Sequence, residues 1–184
     1  MTWDSAGVPS ADSDCGSAGA QVDLCFSPGA LTKPFGLSPV NSLSSAASAY
    51  LRSAAHQPVA WYPWGPGAFE AARRDDKPIL LDIGAVWCHW CHVMDGESYE
   101  DPALAEFLNQ NFICVKVDRD ERPDVDARYQ RAIQALSGQG GWPLTGFLTP
   151  EGEVFFGGTY FPPDGKYGRP GFRSVLEQLV EVFH

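Results

Sequence analysis

The feature that most restricts how this chain can fold is the run Ile79-Leu80-Leu81-Asp82-Ile83, in which only Asp82 is polar. A strand that is apolar at consecutive rather than alternate positions has both of its faces covered. A sheet covered on both faces lies between two layers of helix. The flanking segments fit that arrangement. Upstream, Gly67 to Asp76 reads as a short amphipathic helix, with Phe69, Ala71 and Ala72 inward and Arg73, Arg74, Asp75 and Asp76 outward, and Lys77-Pro78 stops it. Downstream, a turn at Ala85 to Trp87 leads into a helix from Cys88 towards Met94. A break follows near Gly96, and helix resumes from Pro102 to Asn109, since proline suits the first turn.

The same two periods continue. Phe112 to Val117 is a second buried strand, and Asp124 to Leu136 a helix with Val125, Tyr129, Ile133 and Leu136 along one face. Leu144 to Leu148 and Val154 to Tyr160 form a hairpin pair turned at Pro150-Glu151-Gly152. A last helix runs from Phe172 to the end, with Val175, Leu176, Leu179, Val180 and Phe183 apolar. The order β, α, β, α, β, β, α, preceded by one helix, implies an α/β three-layer sandwich with a mixed central sheet flanked by helices. That domain spans residues 41–184. Residues 1–40, rich in Ser, Ala, Gly and Pro, are expected to form a flexible extension, because so little apolar surface cannot offset the entropy of ordering. Cys15 and Cys25 fall there and read as incidental thiols. Trp61 and Trp64 read as core.

Charge and cysteine usage exclude several functions. A net charge of -10 repels a phosphate backbone, so no nucleic acid is expected as a partner. No apolar run approaches the roughly 18–20 residues of a spanning helix, so no membrane is expected either. Met1-Thr2-Trp3-Asp4-Ser5 lacks the basic and apolar regions of a secretory signal, and a cytoplasmic location is expected. Of five cysteines only Cys88 and Cys91 are close together. One CxxC among scattered single cysteines reads as a redox or metal motif in a reducing compartment. Cys114, inside a strand, reads as a small core hydrophobe.

Cys88 follows a buried strand and opens a helix. The first amides of a helix have no intrahelical partner and the dipole there favours an anion, so a thiolate at Cys88 is stabilised. Cys91 lies one turn on, within reach of a disulfide. Cys88 would then attack a substrate disulfide, and Cys91 would resolve the mixed species. His89, when protonated, adds positive charge beside the thiolate. Asp82, buried in its strand, is expected to have a raised pKa and to relay a proton to or from Cys91. Lys116 in the neighbouring strand is placed to face it. Gly138-Gln139-Gly140-Gly141-Trp142-Pro143 leads into a strand. A cis Trp142–Pro143 bond would turn this loop towards the cysteines, where the Trp142 backbone could pair with an extended peptide. Trp87 and Trp90 flank the cysteines as substrate contacts. The partners are then a protein or peptide carrying a disulfide or thiol, and a reductase or oxidant of unknown identity. No cofactor and no metal are called for.

The same letters admit other readings. Cys88-His89-Trp90-Cys91-His92 matches the c-type haem pattern, but that pattern goes with export and the motif here follows a buried strand. Cys88, Cys91, His89 and His92 are zinc-type ligands, yet successive helical positions cannot converge on one tetrahedral ion. A metal site shared with a partner chain, or a non-enzymatic binding module of the same fold, stays open. Asp118 to Asp124 lacks the glycine of a calcium loop and reads as a solvated segment capping the next helix. Gly-Gln-Gly-Gly is no phosphate cradle, since no Gly-Lys-Ser/Thr follows.

Trp87-Cys88-His89-Trp90-Cys91 after Leu81-Asp82, with the later Pro143, resembles thioredoxin in order and spacing. A closer resemblance is to the thioredoxin-like N-terminal domain of the spermatogenesis-associated protein 20 family. It rests on Trp61-Tyr62-Pro63-Trp64-Gly65, Cys88 to Met94, Val117-Asp118-Arg119 with Glu121 to Asp124, Gly138 to Thr145, and Phe155 to Pro163. The resemblance covers about residues 41–184 and implies a thioredoxin-like fold with a redox role. It also implies a large helical domain after this one, absent here, so the chain reads as a short form or a fragment. Ala60 stands where the family usually has Asp, and Ala54 where it often has His. The helix-start argument predicts that, in the reduced protein, alkylation of Cys88 titrates well below the ~8.5 of a free thiol; a titration at that free-thiol value, read by mass spectrometry against pH, would count against it.

Overall fold

In the computed structural model, which describes residues 40–165 and 170–183, a 3-10 turn at Leu43–Ser45 precedes helix α1 (Ala49–Ser53) and strand β1 (Trp61–Pro63). There follow α2 (Pro66–Asp75), β2 (Ile79–Gly84), α3 (His89–Met94), a π-helical turn at Asp95–Tyr99, and α4 (Pro102–Asn111). Then come β3 (Ile113–Asp118), α5 (Pro123–Ser137), β4 (Leu144–Leu148), β5 (Val154–Gly158) and α6 (Phe172–Phe183). The expected extension at residues 1–40, with Cys15 and Cys25, lies outside the described residues except for Val40.

The strands line up as β1-β3-β2-β4-β5. β3 is parallel to both β1 and β2, whereas β4 is antiparallel to β2 and β5 to β4. The helical crossover between β2 and β3 makes that pair parallel, and the short turn after β4 makes the last pair antiparallel. In that turn Gly152 has φ of 88°, a conformation that glycine adopts without steric penalty. The result is an α/β fold with a mixed sheet between helical layers.

Alternate residues of the strands feed two cores. Leu80, Cys114, Phe147 and Trp61 pack with residues of α1, α3, α4 and α6 on one face. Ile79, Leu81, Ile83, Val115, Val117 and Leu148 pack with Ala68, Ala71 and Ala72 of α2 and Val125, Tyr129 and Ile133 of α5 on the other. β2 is buried along its whole length, as its apolar run requires.

Five local expectations need correction. β1 and α1 are additional elements, too short for either period to register; the outer edge of β1 is met by Ser42, whose N–H donates to Trp61 O at 2.8 Å. α3 begins at His89, with Cys88 as its N-cap. The break near Gly96 is a π-helical turn, with the Glu100 N–H reaching five residues back to Asp95 O at 3.0 Å. Leu136 is 59% exposed, so the apolar stripe of α5 stops at Ile133. Finally, Asp118 is buried rather than solvated and accepts from Ser48 Oγ at 2.6 Å, while the N-cap of α5 is Arg122, whose side chain makes no capping bond.

α5 approaches the sheet over a cross-strand pair of glycines, Gly146 opposite Gly157. A Cβ on Gly157 would fall 2.8 Å from Ile133 Cγ1 and 3.0 Å from the Thr145 carbonyl oxygen. Gly157→Ala is therefore expected to destabilise the protein by about 1–3 kcal/mol in urea unfolding. Part of that loss should disappear when Ile133 is truncated to Ala in a double-mutant cycle; additive losses would show that Ile133 is not the obstacle.

Candidate active site around the Cys88–Cys91 disulfide

β2 ends at Gly84, and Ala85 to Trp87 carry the chain over the end of the sheet to Cys88. The Cys88 N–H bonds Ala85 O at 3.0 Å, closing the turn. As N-cap of α3, Cys88 offers its sulfur to the Cys91 N–H at 3.2 Å, where a capping Ser or Asp would place an oxygen. Cys88 and Cys91 are joined as a disulfide, with their Cα atoms 5.3 Å apart. They are 6% and 2% exposed. The sulfur pair therefore sits at a helix start, at the rim of the apolar core.

Asp82 and Lys116 lie on the same sheet face as the disulfide, directly paired across β2 and β3, with Thr145 of β4 on the other side of Asp82. Lys116 is fully buried. Its Nζ donates to Asp82 Oδ2 at 2.6 Å and to Asp95 Oδ1 at 2.8 Å. The rings of Trp61, Tyr50 and Tyr99 surround the ammonium at 4.9, 5.1 and 5.1 Å from their centroids. Two carboxylates facing one ammonium leave a surplus negative charge out of water. Burial pushes the Asp82 carboxyl up from its ordinary range, with Asp95 adding to the rise and Lys116 opposing it. Burial alone would pull Lys116 down, but the two carboxylates override it and hold the ammonium well above its ordinary range. Asp82 is thus a carboxyl whose surroundings favour its protonated form more than water does, beside an ammonium that keeps its own proton.

Asp95 escapes a sequence reading because it falls in the interrupted stretch after α3. Its one signal is its position four residues after Cys91, one turn along the same helical face.

An aromatic rim surrounds the cysteines. Trp87 and Trp90 are 56% and 54% exposed. Trp87 packs edge-on against Trp142, centroids 5.7 Å apart, and Trp90 against Tyr160 at 5.1 Å. The Trp142–Pro143 peptide bond is cis, and Pro143 is buried. The loop is held from behind: Trp142 Nε1 donates to Asp126 Oδ1 at 2.9 Å, and the Gln130 amide bonds both backbone groups of Gly141 at 3.0 and 3.1 Å. Arg119 places its guanidinium 4.7 Å from the Trp142 ring and 5.8 Å from that of Trp87, and Trp87 Nε1 donates to Asp120 Oδ2 at 2.8 Å. The acidic loop dismissed from sequence as solvated is thus what orients both tryptophans. His89 is exposed beside Trp90, and His92 Nε2 bonds Val86 O at 2.7 Å. Among the described residues no group of three or more His, Cys, Asp or Glu side chains is disposed to hold a metal ion. No helix among them is long and apolar enough to cross a membrane.

Comparison with known proteins gives a consistent picture. The family model Thioredox_DsbH, described as a protein of unknown function (DUF255), matches residues 40–184. Spermatogenesis-associated protein 20 of Mus musculus is 50% identical over 142 residues, which are 77% of this chain and 18% of that protein. An uncharacterized protein of Caenorhabditis elegans is 50% identical over 139 residues, 76% of this chain and 19% of its own length. The chain thus spans less than a fifth of the curated relatives it matches. Among solved structures, one titled DsbH Oxidoreductase superposes with a TM-score of 0.50 at 19% identity, covering 68% of this chain and 84% of that one. The shared fold is that of thioredoxin.

The buried charge cluster has unequal expected responses to two substitutions. Lys116→Met leaves two carboxylates without their cation and should cost about 3–5 kcal/mol. Asp82→Asn leaves Lys116 paired with Asp95 and should cost far less. Because the folded pKa of Asp82 is raised, its contribution is fully present below its unfolded pKa of ~3.9 and is lost as pH rises through the folded value. The stability of Asp82→Asn relative to wild type should therefore improve with rising pH in denaturant titrations; a difference that is flat or falls with pH would contradict the assignment.

Proposed function

The chain belongs to the Thioredox_DsbH family, and we propose that its residues 41–184 act as a thiol–disulfide exchange domain on protein or peptide substrates in a reducing, cytoplasmic setting. Cys88 is the nucleophile. Its thiolate attacks one sulfur of a substrate disulfide, the other substrate sulfur leaves with the electron pair, and Cys88 is left in a mixed disulfide. Cys91 then gives up its proton and attacks Cys88 Sγ, releasing the second substrate thiolate and closing the Cys88–Cys91 disulfide. Substrate gains two electrons and the pair loses them. The reverse sequence oxidises a dithiol substrate, and a separate reductase or oxidant resets the pair.

Asp82 is the relay for the Cys91 proton, a role suited to a buried carboxyl whose pKa is raised above its ordinary range. Trp142 and Pro143 face the substrate: the Trp142 backbone is the pairing partner for an extended segment. Trp87, His89 and Trp90 contact the substrate around the attacked sulfur. The single observation that carries this reading is the disulfide at the helix start, with Cys88 as N-cap, on the sheet face that also holds Asp82.

Cys91→Ser is the deciding variant, since it removes resolution and leaves the nucleophile. It should accumulate mixed disulfides that vanish when Cys88 is also changed to Ser, while the wild type accumulates at least tenfold less on non-reducing gels. No adduct, or adducts that persist without Cys88, would favour a binding module in which the pair is structural, or a metal site shared with a partner chain; the metal content of the purified protein separates those two.

A further inference from the structure

Tyr50 of α1 is 1% exposed, and its hydroxyl proton has no acceptor among the described residues, since the neighbouring Lys116 ammonium can only donate to the oxygen. Gly84 shows where that hydroxyl points. A Cβ built on Gly84 would lie 2.2 Å from Tyr50 Oη and 2.8 Å from Cys91 Sγ, so oxygen and sulfur crowd the same point of the β2 backbone. No side chain other than glycine leaves room for both. The titratable groups facing the pair are Asp82 of β2, Lys116 of β3, Asp95 and Tyr99 of the π-helical turn, and His92 of α3, whose ring centroid is 6.3 Å from that of Tyr50.

An orphaned buried donor is unfavourable, and a disulfide sulfur is a poor acceptor for it. A thiolate is a strong one. Resting on the exchange reading above, we propose that Tyr50 Oη is the hydrogen-bond donor that receives Cys91 Sγ when the disulfide opens, and that it thereby biases the pair towards its reduced form. When a reductant thiolate attacks Cys88 Sγ, a new S–S bond forms, the Cys88–Cys91 bond breaks, and the electron pair departs on Cys91 Sγ, the sulfur that flanks Gly84 together with Tyr50 Oη. A second reductant thiolate attacks the reductant's own sulfur in the mixed disulfide and releases Cys88 as a thiolate. Two reductant thiols have become one disulfide, and the cysteines hold the two electrons. Tyr50 keeps its proton throughout, because burial holds its phenol far above the ordinary range. The hydroxyl that is orphaned in the oxidised protein is satisfied in the reduced one.

Tyr50→Phe in the full chain tests this. Equilibration with glutathione buffers should show the variant about tenfold harder to reduce, which for a two-electron couple is about 30 mV. In a Cys88→Ser background, where Cys15, Cys25 and Cys114 are the same with and without the change, the alkylation midpoint of Cys91 should move about one pH unit higher. The Tm of the oxidised protein should stay level or rise, since the hydroxyl proton has no acceptor to lose in that state. A redox equilibrium constant within twofold of wild type with an unmoved Cys91 midpoint would overturn the proposal, as would a fall in the oxidised Tm large enough to account for the redox shift. A wild-type pair that never equilibrates with the thiol buffer would sink the exchange reading itself; a wild type that equilibrates beside an unchanged Phe variant sinks only the role of Tyr50.

Discussion

The interior of this domain is organised by a single buried ammonium. Removing Lys116 from water carries a penalty of several kcal/mol, and only the close approach of Asp82 and Asp95, with three aromatic rings around the head group, offsets it. That requirement fixes geometry beyond the pair itself. Asp82 and Lys116 meet because β2 and β3 pair in one register, and a slip of one residue would turn Lys116 into the opposite core, away from Asp82 and Asp95. Asp95 reaches the same nitrogen because α3 passes into the π-helical turn. Tyr50 and Trp61 bring α1 and β1 to it. The ammonium thus joins every element that surrounds the disulfide from below.

Above the sulfurs a second set of interactions works on different chemistry. Arg119, Asp120 and Asp126 hold Trp87 and Trp142 by their ring faces and indole N–H groups, so two large side chains near Cys88 are oriented although one is more than half exposed. The lower cluster governs charge and the upper one shape. Cys88 and Cys91 lie between them, at the point where a chain leaving a buried strand must start a helix with unpaired amides.

Much of this was legible in the residues, and the gaps have physical causes. β2, β3 and the hairpin announce themselves because runs of apolar residues between turn signals have few other solutions. β1 has three residues and ends in proline, and α1 has five with alanine and serine among them, so neither presents a period. Asp82 stood out as a lone carboxylate in an apolar strand. Lys116, between Val115 and Val117, carries the same signature with opposite sign, and the two together imply a buried pair. Asp95 is hidden because a π-helical turn shifts the phase of the helix at that point. Arg119 and Asp120 are hidden for another reason: a charged loop reads as solvated whenever the groups that claim its charges, here two indoles, arrive from distant parts of the chain.

β1 has a consequence for the molecule as a whole. An open sheet flank invites pairing with other chains, and this one is closed in two ways: Pro63 has no N–H to donate, and the Trp61 carbonyl is already occupied by Ser42. Strand addition from a neighbouring molecule, the first event in fibril growth, therefore finds no template along that border and is left with β5 as the place to begin.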